Sequence, residues 1–402
     1  MHISNSPARG ELTRRRRAVF AAFVAFGLVL GSWAVHLPIL KFNLHASTSE
    51  LGIILLILGG GAFFGMQASG YAANKFGSGK VAAIGSLALS ITIVPPLFCS
   101  TWASAAIASL ALGISVGIIE VGANAAAVEV EREYQRPIMS SFHGMFSVGS
   151  VLGSVIGAGA FALNISYRFT LPTIALMVLI LLVVSAKTLM TIQTDPTPPI
   201  VTGSTATSSK VHRSKRHTMQ LIAYGCLAFL LLLTEGSAMD WSSLHAQEHL
   251  DATSSGAALA LACFVSAMTI GRFTIDRLAE RIGPARILRY GAALSIAGLI
   301  AVICSPVLPL ACIGWAATGL GLSGCVPQVF TATGNLHGSN AKELARVVGA
   351  GYIAVLAGPA IIGWLADQLG INNAFILPII GMVICLASAN VLEPKKEPVA
   401  TH

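Results

Sequence analysis

The chain has 402 residues, of which 54% are hydrophobic and only 10% are charged, and its formal net charge is +8. A mean hydropathy of +0.76 excludes a soluble globular domain, since such domains carry about 25% charged residues. Windows of about 20 apolar residues recur along the chain, and each is long enough to cross a bilayer core of about 30 Å. We therefore predict an all-α membrane protein with twelve transmembrane helices, at roughly 18–40, 51–73, 80–99, 102–128, 139–163, 169–190, 219–241, 256–276, 286–305, 307–331, 346–369 and 373–392.

The first span follows a basic tail, residues 1–17, which ends in consecutive arginines. Its apolar stretch is too long for the core of a signal peptide and many spans follow it, so we interpret it as a retained helix. Trp33 and His36 lie late in this helix. Trp33 is placed either to stack on a sugar face or to anchor the helix at the membrane interface. His36 is a further candidate for solute binding.

The fourth span carries the strongest functional candidate. Glu120 and Asn124 are spaced i,i+4, which places them on one face of a helix. An ionisable side chain inside a span is costly, so by default it indicates a functional site. We assign Glu120 to proton coupling, because a desolvated carboxyl can exchange a proton near neutral pH. The alternative is a structural hydrogen bond to a neighbouring helix, and Asn124 either binds solute hydroxyls or holds the Glu120 side chain.

The fifth span combines a polar stripe with a row of glycines, which allow close helix approach. We assign Ser147 to solute binding. His143 is a candidate for hydroxyl binding or for proton exchange, since histidine changes its charge near physiological pH. The alternative for His143 is a packing role. The stripe contains His143, Ser147, Ser150 and Ser154, and the glycine row contains Gly149, Gly153 and Gly157.

A long connector, residues 191–218, separates the first six spans from the last six. It is rich in Thr, Pro and Ser and then basic, which predicts a disordered linker. The two halves repeat each other at an offset of 206 residues, since Gly77 matches Gly283 and Lys80 matches Arg286. We therefore predict two pseudo-symmetric six-helix bundles with a solute site between them near the membrane midplane. The bundles are 18–190 and 219–392, and a tail follows at 393–402.

The second half adds three polar candidates. Glu235 and Asp240 lie in the outer half of the seventh span. Glu235 suits the external side of a cavity or gate and is a further candidate for proton coupling. Asp240 is either a solute-binding residue or an interfacial one. Gln328, in the tenth span, occupies the repeat position of Gly122 and is a candidate for a polar contact in the cavity.

The basic residues are distributed so that they set the topology. With the N-terminus in the cytoplasm, only Lys41 and Arg168 of the 25 Lys and Arg residues fall outside. The positive-inside rule then places both termini in the cytoplasm, in a cell (inner) membrane. The basic excess is therefore a topology signal and not a nucleic-acid site. We also expect no basic residue deep in a span, which favours a neutral or cationic solute over an anion.

Twelve spans in two halves, a long central loop and short basic loops after the second and eighth spans resemble the major facilitator superfamily. The loop signature of that family, roughly G-x-x-x-D-R-x-G-R-R, is similar to residues 70–80, with Asn74 in the usual Asp position, and to residues 276–286. The resemblance implies a monomeric transporter that works by alternating access. The gating-loop residues implied are Gly70, Asn74, Lys75, Gly77, Asp276, Arg277, Glu280, Arg281 and Gly283.

A narrower resemblance is to the fucose-permease branch. The fourth helix of that branch has a Glu followed four residues later by Asn, like Glu120 and Asn124 here. Its fifth helix has a Gln six residues before a Gly, where this chain has His143 before Gly149. The branch also has an Asp four residues before a Pro in its first helix, and this chain has Ala34 there. The resemblance implies proton-coupled sugar uptake with the second carboxylate missing.

Two short motifs resemble those of enzymes, but their positions in the sequence argue against an enzymatic site. The run from His245 to His249 matches H-x-x-E-H, but it falls in a short predicted loop rather than in a folded domain with a further ligand. The run from Gly77 to Lys80 resembles part of a phosphate-binding loop, but Val81 replaces the required Ser or Thr. The seven cysteines show no CxxC spacing. We therefore expect no enzymatic activity, no cofactor and no metal.

The sequence thus predicts a secondary transporter for proton-coupled uptake of a small neutral polar solute such as a sugar or polyol. Its expected partners are the solute, protons and the lipid bilayer, and no nucleic acid. A proton-driven efflux antiporter for small organic compounds is the alternative, because the same carboxyl could exchange a proton against solute. A non-transporting membrane sensor is a remote alternative, since the only sizeable polar segments are predicted to be disordered.

Overall fold

The computed structural model describes residues 9–134, 138–193, 215–334, 336 and 341–393, and the regular elements in these ranges are all helices. The first half contains α1 (Arg9–Leu44), α2 (Thr48–Phe76), α3 (Ser78–Thr92), α4 (Pro95–Phe98), α5 (Trp102–Tyr134), α6 (Met139–Ala162) and α7 (Tyr167–Leu189). The second half contains α8 (Lys215–His249), α9 (Ser254–Ile282), α10 (Pro284–Ile303), α11 (Leu308–Leu322), α12 (Cys325–Gly334), α13 (Ala341–Leu369), α14 (Ile371–Ala374) and α15 (Ile376–Ser388), and a 3₁₀ turn follows at Ala389–Leu392.

Twelve segments of the described chain are long and apolar enough to cross a membrane. In three of them two consecutive helices share one crossing, α3 with α4, α11 with α12, and α14 with α15. The predicted all-α fold with twelve spans in two six-helix bundles is therefore confirmed. Because the number of spans is even, both ends of the described chain lie at one end of the bundle. We call this end the terminal face and the opposite end the distal face.

Two helices begin earlier than their apolar stretches, α1 at Arg9 and α8 at Lys215. Part of the predicted basic tail and of the predicted linker is therefore helical. In α1 the extension is supported by charge, because Arg15 forms ion pairs with Glu11 one turn before it and with Glu133 at the end of α5. These contacts hold the polar first turns of α1 against the end of α5.

Glycines bring the backbones of α1 and α6 into direct contact. A Cβ atom added to Gly27 would overlap the backbone of Phe146, and one added to Gly31 would overlap that of Ser150. The contact is reciprocal, since Gly149 and Gly153 of α6 meet the α1 backbone in the same way. The predicted glycine row therefore does pack a pair of helices, as small residues do in membrane bundles.

The turns that follow α2 and α9 have the same geometry. Gly77 and Gly283 end these helices with φ of 96° and 82°, a conformation that favours glycine. Each donates its N–H to the carbonyl four residues earlier, Ala73 and Ala279, at 2.9 Å in both cases. The predicted repeat thus places equal turns at equivalent points of the two halves.

At the distal face, α2 begins with its own capping box. The Glu50 N–H donates to Ser47 Oγ at 3.1 Å, and the Ser47 N–H donates to Glu50 Oε2 at 2.8 Å. These two bonds satisfy donors that the first turn of a helix leaves free. They come entirely from within the first half.

Candidate functional site

The candidate site lies where the two halves face each other, with α1, α2, α5 and α6 on one side and α8, α9 and α13 on the other. Side chains bridge the halves at two levels. One level is at the distal face, and the other lies deeper, towards the terminal face. The predicted functional residues are divided between the deeper level, the packed core and the distal end of α8.

The first deep bridge joins Glu120 of α5 to Tyr352 of α13. The Tyr352 hydroxyl donates a hydrogen bond of 2.6 Å to Glu120 Oε1. Glu120 lies about 21 Å along the helix axis from the last residue of α5, so the bridge is well inside the span. Asn124 donates to the backbone carbonyl of Glu120 at 2.8 Å. The carboxyl of Glu120 is therefore held by the other half and not by Asn124.

The second deep bridge is an ion pair with a serine beside it. Arg272 of α9 donates to Glu235 of α8, with 2.9 Å between Nη2 and Oε1. Its other nitrogen, Nη1, donates to Ser147 Oγ of α6 at 3.4 Å, which crosses between the halves. The side chains of Arg272 and Glu235 are 31% and 18% exposed, so the pair is partly desolvated. The apolar span of α9 is Ser254–Ile275, so Arg272 lies close to the end of the span and not deep within it, although its side chain reaches the contact between the halves.

Arg272 reaches the interface because α9 is longer than its apolar stretch. The helix continues to Ile282, so Arg272 is about 15 Å from its end. Next to it, Phe273 packs against Gly144 of α6, where an added Cβ would lie 2.7 Å from the ring. The neighbouring turns of α6 and α9 therefore meet closely around the ion pair.

The remaining polar candidates lie in different surroundings. His143 is exposed, and its ring meets that of Phe23 edge-on with centroids 5.5 Å apart. Gln328 of α12 is 9% exposed. Asp240 of α8 is partly buried beside the fully buried Trp241. Of this group, His143 is the one that also lies within electrostatic range of Arg272.

Trp33 and His36 belong to the packed core of the first half. Trp33 is 3% exposed and His36 is fully buried. The Nδ1 atom of His36 bonds to the carbonyl of Ser32 at 2.7 Å, and its ring packs on Phe161 with centroids 5.1 Å apart. In this conformation neither side chain is presented to a solute or to the membrane interface.

The distal level closes the halves against each other. Asp367 of α13 accepts the N–H groups of Thr48 and Ser49, the first residues of α2, at 2.9 Å each. Beside this cap Gly363 and Gly52 pack so closely that a Cβ on Gly363 would lie 2.7 Å from the Thr48 carbonyl. The N-terminus of a helix favours an anion, so the carboxylate of Asp367 interacts favourably with the dipole of α2.

A second set of distal contacts joins α1 to α8. Lys41 forms an ion pair with Glu248, and Ser243 donates to the carbonyl of Ala34 at 3.4 Å. Glu248 and His245 both belong to the H-x-x-E-H string, but they point to different partners. His245 bonds through Nε2 to Asn372 Oδ1 at 3.0 Å, while Glu248 pairs with Lys41. The string lies in the last turns of α8 and not in the predicted loop, and it contributes to distal packing.

The predicted gating loops are described in part. Gly77 and Gly283 form the two equal turns, and Lys75 stacks on Phe76 with Nζ 5.3 Å from the ring centroid. A side chain at Gly70 would meet open space, and Arg281 is exposed. The side chains of Asn74, Asp276, Arg277 and Glu280 lie outside the described part of the chain.

The residues of the interface that were not among the sequence-based candidates include Tyr352, Arg272 and Asp367. Arg272 carried a usable signal, because it is a charge inside the predicted eighth span. Tyr352 and Asp367 carried none, since a tyrosine inside a span and an aspartate at its end are ordinary there. Their partners are 232 and 319 residues away in the sequence.

Comparison with known proteins agrees with this architecture. Residues 18–245 and 224–401 each match the profile of the family described as Major Facilitator Superfamily. An uncharacterized MFS-type transporter of Yersinia pestis is 31% identical over 355 residues, which are 88% of this chain and 89% of that protein.

Two solved structures share the fold at low sequence identity. The nucleoside transporter NupG, as a point mutant, superposes with a TM-score of 0.71 at 13% identity, over 94% of this chain and 98% of that one. The Escherichia coli fucose:proton symporter superposes with a TM-score of 0.60 at 14% identity, over 94% and 99% of the two chains. Both comparisons show the arrangement of helices alone.

Proposed function

Because this chain belongs to the major facilitator superfamily, we propose that it couples the uptake of a small neutral polar solute, such as a sugar or polyol, to the entry of protons. Membership of the family makes it a multi-pass membrane transporter and not an enzyme. The solute, the coupling ion and the direction of transport are the proposed part. The fucose:proton symporter with the same fold supports the class of solute and the ion.

The hydrogen bond from Tyr352 to Glu120 carries the proposal. It joins a titratable carboxyl in one half to a hydroxyl in the other, deep inside the spans. An ionised carboxylate accepts this bond strongly, and a protonated carboxyl accepts it more weakly. Protonation of Glu120 therefore changes how firmly α5 and α13 hold together. Coupling requires such a dependence of the contact between the halves on the bound proton.

The solute class follows from the groups around the two deep bridges. Asn124 and His143 offer hydrogen-bond donors and acceptors that suit hydroxyl groups. Arg272 is already paired with Glu235, so the net charge of that pair is zero. A neutral solute can bind beside the pair without leaving either charge alone, whereas an anion would have to displace Glu235.

The proposed orientation in the membrane rests on the distribution of the basic residues. The terminal face carries nearly all basic residues, so we propose that it is cytoplasmic and that the distal face is external. The distal face is closed by the Asp367 cap and the Lys41–Glu248 pair. This structure would then be the state in which the solute site has been cut off from the outside.

The test is solute-driven proton movement in vesicles that contain the purified protein, over a panel of sugars and polyols. We expect one solute to drive proton entry, and Glu120→Gln to abolish it while solute binding persists. Glu129→Gln is the matched control, since Glu129 is on the same helix but near the terminal face, where it pairs with Arg132.

Three outcomes would contradict the proposal. Solute movement without protons would remove the coupling role of Glu120. Proton movement against solute would favour the efflux antiporter. Solute binding without accumulation in any vesicle would favour a sensor.

A further inference from the structure

The second half contains an apolar groove that is open at the surface. It lies between α8, α13 and α15 and has a volume of about 770 Å³. Ile222, Ile353 and Ile384 line it and are 56%, 58% and 46% exposed, which places the groove on the outside of the bundle. Its lining also includes Arg346, which is exposed and begins its membrane span. A hydrophilic solute finds almost no polar partner there.

The equivalent place in the first half is filled by aromatic rings. Phe20 of α1 packs on Phe142 of α6 with centroids 5.2 Å apart, and Phe23 lies 5.8 Å from the same ring. One repeat later, Phe20 and Phe142 are replaced by Cys226 and Val348. Cys226 lines the groove, so the missing ring volume accounts for part of its space. The second half therefore lacks the ring that Phe20 supplies in the first half.

The shape and charge of the groove suit a phospholipid. An empty apolar groove would lose dispersion contacts along its walls, and in a bilayer the available apolar ligand is an acyl chain. Arg346 lies where the span begins, at the depth of the lipid headgroups, and a guanidinium binds phosphate with two hydrogen bonds.

We propose that this groove binds an anionic phospholipid, with one acyl chain along α8 and α13 and its phosphate on Arg346. Basic sites between spans at the cytoplasmic side bind anionic headgroups. The orientation used here is that of the proposed function, but the binding itself does not depend on proton coupling or on the solute. The lipid would lie against the outer side of α13, the helix that presents Tyr352 to Glu120.

The experiment measures lipids retained by the full-length protein in detergent, by native mass spectrometry. Phosphatidylglycerol and phosphatidylcholine with the same acyl chains are offered in equal amounts. We expect phosphatidylglycerol to be retained preferentially. Arg346→Gln should lower that preference about fivefold, which corresponds to about 1 kcal/mol for one basic residue near the membrane surface.

Two further variants separate the chain-binding groove from the headgroup. Cys226→Phe restores the ring of the first half and should reduce retention of both lipids, and Ala350→Phe is a second filling variant in case the first misfolds. Lys187→Gln is the matched control, because Lys187 is an exposed cation at the end of α7 that lies at the terminal face. It should change nothing.

Several results would overturn the site. An equal loss of the preference for phosphatidylglycerol in Lys187→Gln would show that anionic lipid is attracted to the terminal face in general. Unchanged retention in folded Cys226→Phe and Ala350→Phe would show that the acyl chain lies elsewhere. Equal retention of both lipids by the unmodified protein would exclude the role of Arg346. None of these results bears on proton-coupled transport, whose own test is independent.

Discussion

The two levels at which the halves meet are built from different groups. The distal level joins backbone to backbone at Gly52 and Gly363 and a carboxylate to backbone N–H groups at Asp367, with the Lys41–Glu248 ion pair beside them. The deep level joins side chains that can change partners, Glu120 with Tyr352 and Arg272 with Ser147. A contact between backbones depends on shape, whereas a contact between titratable side chains depends on their protonation and on ligands. We therefore propose that the distal level closes the protein and that the deep level responds to what is bound.

Gly363→Val should break the distal level most severely. The added carbon atoms would meet the Thr48 carbonyl and the Gly52 backbone, which cannot move aside as a side chain can. We expect the closed distal state to be lost and uptake to fall to background. A cysteine at Ser243, which is fully buried in this structure, should then react readily with a hydrophilic maleimide.

The control for this prediction is the same cysteine with Gly363 intact, where labelling should be slow. Gly236→Val, at a glycine whose added Cβ meets nothing within 4 Å, controls for valine in a membrane helix. Slow labelling in Gly363→Val would mean that the distal contact is dispensable for closure.

Tyr352→Phe should weaken the deep level while leaving the distal level intact. It removes one hydrogen bond to a carboxylate, worth about 1.5 kcal/mol, so the terminal side should open about tenfold more often. A cysteine at Asn124, one turn from Glu120, should label faster by about that factor, while the cysteine at Ser243 stays slow. Faster labelling at both positions would contradict the separation of the two levels.

Asp367→Ala should loosen the distal level by the smallest amount. An exposed anion at a helix N-terminus contributes about 1 kcal/mol, so distal opening should rise about fivefold. The measurement is again maleimide labelling of the cysteine at Ser243. Gln368→Ala, the exposed neighbour, is the matched control and should have no effect. If Gln368→Ala raised distal opening as much as Asp367→Ala, the effect would come from any change at the end of α13 and not from the loss of the cap.

The sequence was sufficient for the fold because its evidence is local. A run of apolar residues identifies a span by itself, and Gly77 and Gly283 identify the repeat by their positions. The rotation of each helix is not local. In a membrane both the lipid side and the core side of a helix are apolar, so the pattern around Glu120 does not say which neighbour it faces.

The candidate site was therefore predicted in part. Glu120 was identifiable, because a carboxyl inside a span is conspicuous in any orientation. Its partner Tyr352 was not identifiable, since no sequence feature near that tyrosine indicates that its hydroxyl bonds to a carboxyl. Trp33 and His36 were predicted to bind solute, with an interfacial anchor as the alternative for Trp33, and the structure packs both in the core of the first half. Arg272 was counted among the cytoplasmic basic residues, and its contacts with Glu235 and Ser147 were not predicted.

The capping box at the start of α2 has a consequence for how the distal face can open. When α13 withdraws, the Thr48 and Ser49 N–H groups lose the carboxylate of Asp367 and become accessible to water. The bonds between Ser47 and Glu50 stay, because both residues move with α2. We therefore expect the first turn of the helix to remain folded on either side of the transition. The two halves can then separate and meet again without any change in the secondary structure of α2, so that this helix need not refold in each transport cycle.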